Sequence, residues 1–161
     1  MQRGFHIIGG KYEGLLGVIA TLTLALVACG DAVGPNPSDV KFASSLGIDL
    51  EQMTETASGL YIRDDVVGVG EPAVTGDQVV VDFTGWLADG TEFDSGELPI
   101  LSLGSGLIDG FTEGVTGMRA EGTRTIVLPA DLAYGPQGRQ GIPGNAVLVF
   151  KITVTSIVKP Q

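Results

Sequence analysis

Residues 77–93 read DQVVVDFTGWLADGTEF, in which apolar and polar residues first alternate and then reach a turn. Alternate residues from Val79 to Phe83 fall on one face and the residues between them fall on the other. This is the pattern of a β-strand with one buried face. The ADGT sequence at 88–91 contains Asp-Gly, a strong hairpin signal. The stretch therefore predicts two antiparallel strands that bring Phe93 and Asp94 back beside the first.

Three further stretches predict strands by the same criterion. They are GLYIRDDVVGVG at 59–70, EGTRTIVLPA at 121–130 and NAVLVFKITVTSIV at 145–158. In the second, Ile126 and Leu128 share a face. In the last strand one face carries Ala146, Leu148, Phe150, Ile152 and Val154.

Residues 107–118, LIDGFTEGVTGM, break the strand pattern. Leu107, Phe111 and Val115 recur at every fourth position, with Ile108 alongside, which predicts a short helix with one apolar stripe. Two internal glycines make it a poor isolated helix, so packing must stabilise it. One short helix against a mostly antiparallel sheet predicts an α+β domain in which the sheet curls around the helix.

The N-terminal region has the features of a secretory signal. Arg3 and Lys11 precede an apolar stretch at 15–28, which is shorter than the about 20 residues of a membrane span. The stretch ends in Leu-Val-Ala-Cys, and its Cys29 is the only cysteine. This sequence resembles the lipobox of bacterial lipoproteins, in which cleavage precedes the cysteine and the cysteine is lipidated. The alternative is a chance buried cysteine in a short membrane anchor.

The chain is accordingly predicted to have three parts. Residues 1–28 form a lipoprotein signal peptide, residues 29–57 the lipidated Cys and a flexible tether, and residues 58–161 the folded domain. The tether prediction rests on the Gly, Pro, Asn and Asp content of residues 30–40. Residues 42–56 have weak helical spacing.

Composition excludes several classes of site. The net charge of −10, from 9 basic and 19 acidic residues, argues against nucleic acid as a partner. The only histidine is His6, in the signal region, so the mature domain lacks Ser-His-Asp and Cys-His catalysis and most transition-metal sites. No metal and no cofactor is predicted. A hydrolase with paired carboxylates stays formally possible because acidic residues are plentiful.

A set of aromatic residues comes from separate predicted elements and would converge in a curled sheet. It forms either an aromatic core or an aromatic pocket, and spacing alone favours the core because aromatics dominate ordinary cores. The set comprises Phe83, Phe93, Phe111, Tyr134 and Phe150.

The order of the motifs favours the pocket. VVVDFTGWLADGTEFDS, GFTEGVTGMRAEGTRTIVLPADLAYG and GIPGNAVLVFKITV together resemble the FKBP-type peptidyl-prolyl cis-trans isomerases, over residues 58–158. The resemblance implies a five-stranded antiparallel sheet curled around a short helix, which agrees with the pattern above. It also implies catalysis of X-Pro isomerisation without metal or cofactor, on proline-containing polypeptides, with macrolides as possible ligands.

The resemblance also implies the site residues. Phe93, Asp94, Tyr134 and Ile108 would form the catalytic set, with Asp94 at the rim and the Ile108 N–H and Tyr134 hydroxyl bonding ligand carbonyls. Asp94 as a turn-capping carboxylate is the structural alternative. The residues implied to bind substrate are Phe83, Leu107, Phe111, Ile142 and Phe150.

The sequence departs from the family pattern at three places. Phe83 stands where many members have Tyr, so a hydroxyl that can bond Asp94 is lost. Phe111 replaces the common Trp on the pocket floor. LPILSLG at 98–104 lacks the Phe often found before the helix, and the residues expected to fill its place are Pro99, Ile100 or Leu101.

The segment between the last two strands is rich in Gly and Pro. Tyr134 is expected to end a strand, and residues 135–140 are expected to form a flap bordering the pocket. Arg139 is interpreted as solvating this loop, and Trp86 as surface or edge packing outside the pocket.

Together these observations predict a monomeric, lipid-anchored prolyl isomerase of the bacterial cell envelope, acting outside the cytoplasm on folding polypeptides. The alternative is an FKBP-like binding or chaperone module with little isomerase activity, for which Phe83 and Phe111 are the supporting departures.

Overall fold

The computed structural model describes residues 34–160, in which an antiparallel six-stranded sheet packs against one short α-helix. The elements are β1 (Thr54–Glu55), β2 (Tyr61–Val66), β3 (Gln78–Leu87), β4 (Glu92–Ser102), α1 (Asp109–Val115), β5 (Thr123–Leu128) and β6 (Leu148–Val158). Strand order in the sheet is β1-β2-β5-β6-β3-β4. The predicted α+β class is therefore confirmed. The additional strand, β1, has only two residues and is too short to show a period-two pattern.

The predicted hairpin is present between β3 and β4. Asp94 pairs with Gly85 across the two strands, which places Phe93 and Asp94 beside the first strand, as expected. The Asp89 carboxylate accepts a hydrogen bond from the Thr91 N–H at 2.8 Å and stabilises the turn. Gly90 supplies the positive φ of +90° that the turn requires.

The helix is held against the sheet by contacts that only glycine permits. A Cβ atom on Gly110 would lie 2.4 Å from Leu128, and one on Gly114 would lie 2.6 Å from Ile126. The two glycines that weaken α1 in isolation therefore allow it to lie directly on β5. Arg124, buried on β5, donates to the Gly114 carbonyl at 2.9 Å and secures the end of the helix.

The helix begins two residues later than its apolar stripe suggested. Leu107 and Ile108 precede α1, and Ile108 is its N-cap residue. Phe111 and Val115 are buried in the main core, as predicted. Leu107 and Ile108 are only half-buried and are free to border a cavity instead of filling the core.

The other face of the sheet is covered by the segment that precedes β2. Residues 40–53 pack there through Phe42, Leu46 and Met53 against buried Val127 and Val149. This segment belongs to the predicted tether, so the packed part of the chain begins well before residue 58. Within residues 34–160 no helix is long and apolar enough to cross a membrane. The predicted signal peptide and Cys29 lie outside the described residues.

A buried carboxylate joins the C-terminal end of β6 to the loop before β3. Asp77 is 1 % exposed, and its Oδ2 accepts hydrogen bonds from Lys159 Nζ and the Val74 N–H, each at 2.8 Å. The Lys159 hydrogen bond and then the Val74 hydrogen bond lower the pKa of Asp77 below its ordinary value. The folded state therefore favours the ionised carboxylate.

Asp77 should make the free energy of unfolding depend on pH in the acid range. Because its pKa is lower in the folded state than the about 3.9 of an unfolded aspartate, its contribution is full above about pH 4 and is lost as pH falls through the folded pKa. We expect Asp77→Asn to have a lower free energy of unfolding than wild type in urea at pH 7. The difference between the two free energies should be smaller at pH 3. An unchanged difference would show that the Asp77 charge is irrelevant.

Candidate functional site

A cavity of about 340 Å³ opens on the helix side of the sheet and is here called the aromatic cavity. It lies where β3, β4, β6, the start of α1 and the loop after β5 meet. Its lining residues are Phe83, Phe93, Asp94, Leu98, Gly106, Leu107, Ile108, Phe111, Tyr134, Arg139 and Phe150.

Phe150 is the centre of the aromatic cluster. Its ring centroid lies 5.5 Å from that of Phe93 and 5.6 Å from that of Phe111, and both pairs are edge-to-face, with interplanar angles of 86°. Phe83 lies 6.3 Å from Phe150 and meets Phe111 edge-on at 6.0 Å. These are favourable aromatic distances and angles, so the four rings form one contiguous apolar surface.

The aromatic residues contribute to both the core and the pocket. Phe111 and Phe150 are 4 % and 3 % exposed and belong to the main core, yet they also line the cavity. Phe83 and Phe93 are half-buried and form its walls. Two residues of the core therefore also form part of the cavity surface.

The close approach of Phe93 and Phe150 depends on Gly85 of β3. A Cβ atom on Gly85 would lie 2.6 Å from the Phe93 ring and 2.8 Å from the Phe150 ring. Any larger residue at this position would therefore displace the walls of the cavity.

Tyr134 and Arg139 form a coupled pair at one edge of the aromatic cavity. Arg139 Nη1 donates a hydrogen bond of 2.9 Å to the Tyr134 hydroxyl oxygen, and the guanidinium lies 5.1 Å from the centre of the Tyr134 ring. Because the hydroxyl accepts from Arg139, its own proton is available to a ligand acceptor. The interpretation of Arg139 as a loop-solvating residue is wrong in this respect, since its side chain contacts Tyr134 and lines the cavity.

Backbone geometry also leaves a donor at the helix end of the cavity. Ile108 has an extended conformation, and its carbonyl accepts from the N–H groups of Phe111 and Thr112. Its own N–H has no acceptor among the described residues. Asp94 also lines the cavity and is exposed, and its carboxylate makes no hydrogen bond within this part of the chain.

Metal coordination has no evident basis at this site. Across residues 34–160, His, Cys, Asp and Glu side chains nowhere form a group of three or more that would suit a metal ion. The polar groups of the cavity are instead hydrogen-bond donors and one carboxylate.

Three details of the lining differ from expectation. Ile142 is 5 % exposed and packs in the core, outside the cavity lining. Its backbone pairs with that of Arg139 through hydrogen bonds of 2.8 and 3.0 Å, so it anchors the loop from which Arg139 projects. Tyr134 does not end a strand, because β5 stops at Leu128 and short 3-10 helices flank Tyr134 on both sides. Leu98 is in the lining and Pro99 is not, while the side chains of Ile100 and Leu101 lie outside what the structure describes.

Sequence reasoning missed Arg139 and Leu98. Arg139 lies five residues after Tyr134 in a short loop, and this spacing was the sequence signal that could have indicated a contact between them. No sequence signal indicated Leu98, because register shifts between β3 and β4 set which residues of β4 face the cavity.

Comparison with known proteins agrees with this geometry. A sequence model of the family described as "FKBP-type peptidyl-prolyl cis-trans isomerase" matches residues 70–155. The FK506-binding protein of Neisseria meningitidis serogroup B is 39 % identical over 105 residues, which cover 62 % of this chain and 96 % of that protein. The isomerase FkpA of Escherichia coli K12 is 38 % identical over 124 residues, which cover 74 % of this chain but only 43 % of FkpA.

Solved structures lead to the same family. The crystal structure of Escherichia coli FkpA superposes with a TM-score of 0.64 at 32 % identity, over 71 % of this chain and 55 % of that one. A peptidyl-prolyl cis-trans isomerase of Pseudomonas syringae pv. tomato superposes with a TM-score of 0.62 at 29 % identity, over 67 % and 82 % of the two chains. With the aromatic cavity in place, the match over most of the folded domain shows that the chain belongs to the FKBP-type peptidyl-prolyl cis-trans isomerases.

Proposed function

We propose that this isomerase acts outside the bacterial cytoplasm on proline-containing polypeptides as they fold, held at a membrane by lipid on Cys29. The observation that carries the catalytic part is the four-ring aromatic cavity with the Tyr134 hydroxyl at its edge. The lipobox-like sequence ending at Cys29 carries the location.

The cavity suits the twisted state of an X-Pro amide. Rotation about this bond must break amide resonance, with a barrier of roughly 20 kcal/mol. The twisted amide has less charge separation than the planar one, so an apolar cavity of this kind disfavours the planar ground state more. Binding the twisted form better than the planar form is sufficient for catalysis.

The polar groups of the cavity have positioning roles in this proposal. The prolyl ring would sit on Phe111 and Phe150, between the walls formed by Phe83 and Phe93. The Tyr134 hydroxyl and the Ile108 N–H would each donate to a carbonyl that flanks the bond. No group needs to gain or lose a proton during the reaction. Leu107 and Asp94 would border the entrance.

An isomerase assay on a proline peptide tests the catalytic proposal. We expect micromolar protein to accelerate cis–trans isomerisation above the uncatalysed rate, and a macrolide competitor to abolish the acceleration by filling the aromatic cavity. Absence of acceleration would favour the binding-module alternative. The observation behind that alternative is that Phe83 has no hydroxyl to orient the Asp94 carboxylate, which makes no hydrogen bond among the described residues.

The packed N-terminal segment bears on where the domain would lie. Pro37 is buried and begins the first short 3-10 helix, so the spacer between Cys29 and the packed domain is at most residues 30–36. Fully extended, this spacer reaches at most about 25 Å. A lipid on Cys29 would therefore hold the domain close to the membrane surface.

Lipidation makes a direct prediction about Cys29. We expect Cys29→Ser to move the protein from the membrane fraction to the soluble fraction, because stable anchoring depends on the acyl chains that the cysteine carries. Phe93→Ala is the matched control and should stay with the membrane. Membrane association that survives Cys29→Ser would indicate an uncleaved apolar segment as the anchor.

A further inference from the structure

A second cavity, of about 490 Å³, lies on the face of the sheet opposite the aromatic cavity. It is here called the outer-face cavity, and it lies between the sheet and the packed segment that precedes β2. Its lining residues are Ser45, Leu46, Arg63, Asp65, Trp86, Gly90, Thr125, Val149 and Lys151. None of these residues lines the aromatic cavity.

Strand register places polar and apolar residues of this cavity in two adjacent rows. Arg63 of β2, Thr125 of β5 and Lys151 of β6 are directly paired across the three strands. In the neighbouring row Val149 of β6 pairs with Trp86 of β3. Residues paired in this way project from the same face of a sheet. Two cationic side chains therefore stand beside an indole and a buried valine.

Some polar groups of this cavity already have hydrogen-bond partners, and others remain available to a ligand. Asp65 Oδ1 accepts from Arg63 Nε at 2.8 Å, and its Oδ2 accepts from Thr125 at 2.6 Å. Arg63 Nη1 also donates to the Gly47 carbonyl at 3.1 Å. Arg63 Nη2 and Lys151 Nζ have no partner among residues 34–160. The two charged groups without a partner are therefore both cationic hydrogen-bond donors.

The Asp65 carboxylate is a stable part of this arrangement. Burial alone would raise the pKa of Asp65, but hydrogen bonds from Thr125 and Arg63, with the charges of Arg63 and Lys151, lower it overall. Asp65 therefore stays ionised at neutral pH and neutralises one of the two cations. One positive charge remains at the cavity, although the whole chain carries a net charge of −10.

We propose that the outer-face cavity binds an organic carboxylate with an apolar body. The carboxylate would accept from Lys151 and Arg63, and the apolar body would lie on Trp86 and Val149. The C-terminal residue of a polypeptide and a free aliphatic acid both have this chemistry. Because the cavity lies across the sheet from the aromatic cavity, such a ligand would not compete with a prolyl substrate.

Trp86 provides a direct measurement, because it is the only tryptophan of the chain and lines this cavity. N-acetyl-leucine, which does not absorb where tryptophan does, is titrated into the full-length protein in detergent. We expect a saturable change in tryptophan fluorescence. The neutral N-acetyl-leucinamide should bind at least about tenfold more weakly, because the charge-assisted hydrogen bonds are lost. Equal responses to acid and amide, or no response to either, would overturn the proposal.

Variants locate the binding site on the protein. The side chain of Lys151 is exposed and makes no hydrogen bond among the described residues, so Lys151→Gln should fold normally while weakening the binding of N-acetyl-leucine at least about fivefold. Lys41→Gln is the matched control, since Lys41 is an exposed lysine outside the cavity lining and its loss changes net charge equally. Equal weakening by both variants would show a general charge effect and contradict the site.

A comparison of two acids distinguishes the sources of the ligand. 4-Methylpentanoate has an apolar body like that of N-acetyl-leucine and the same carboxylate, but it lacks the peptide-like amide. Tighter binding of N-acetyl-leucine would identify a polypeptide C-terminus as the natural ligand class, and equal or tighter binding of 4-methylpentanoate would identify a free acid.

Discussion

Phe150→Ala is expected to lower the free energy of unfolding by about 3–5 kcal/mol, the usual cost of removing a buried phenylalanine side chain. Phe150 is 3 % exposed, and its ring meets those of Phe83, Phe93 and Phe111. Its removal would leave three rings without their common neighbour, so isomerase activity should be lost even where the protein is still folded. Urea unfolding followed by tryptophan fluorescence and the proline-peptide assay, both at 25 °C, measure the two effects.

Val149→Ala is the matched control for this prediction. Val149 precedes Phe150 on β6, is 1 % exposed and packs on the opposite face of the sheet. Val149→Ala should lower the free energy of unfolding without much change in the isomerase activity of the folded protein. If Val149→Ala and Phe150→Ala reduced activity in proportion to their loss of stability, the special role of Phe150 in the cavity would be refuted.

Phe93→Ala is expected to reduce kcat/KM at least about tenfold, which corresponds to about 1.4 kcal/mol of transition-state stabilisation. Phe93 is half-buried on β4 and forms a wall of the aromatic cavity, with Phe150 as its aromatic partner. Removing the wall admits water to the site and weakens the apolar environment that favours the twisted amide. Stability should change less than in Phe150→Ala, because less of the side chain is buried.

Tyr134→Phe provides the comparison that isolates a polar contribution. The ring and its contact with Arg139 would be kept, while the hydroxyl that accepts from Arg139 and donates to a ligand is removed. We expect a smaller loss of kcat/KM than in Phe93→Ala. Equal and negligible effects of the two substitutions would remove the assignment of the site to the aromatic cavity.

The features that could be predicted from sequence are those set by neighbouring residues along the chain. The alternation around Val79 identified β3 and its buried face, and the Asp-Gly turn identified the hairpin to β4. Ile126 and Leu128 were correctly placed on the core face of β5. Such patterns are readable because a strand's side chains alternate between the two faces whatever lies opposite them.

The features that could not be predicted depend on residues far apart in sequence. Residues 40–53 have no strong periodicity, yet they pack on the sheet because Val127, Val147 and Val149 leave an apolar surface there. Leu98 faces the aromatic cavity because of the register between two strands. A period-two pattern specifies a face, but it does not specify which partner lies across that face.

By itself, the sequence determined the α+β class, the order of β2 to β6 and α1 along the chain, and the aromatic residues that converge on one side of the sheet. Only the tertiary structure decided that Phe150 is the hub of those rings, that Arg139 engages Tyr134, and that Arg63, Thr125 and Lys151 form one row beside Trp86. The physical reason is that alternation and turn propensity act between near neighbours in sequence. Ring contacts, hydrogen bonds and cavities form between side chains that the folded backbone brings together.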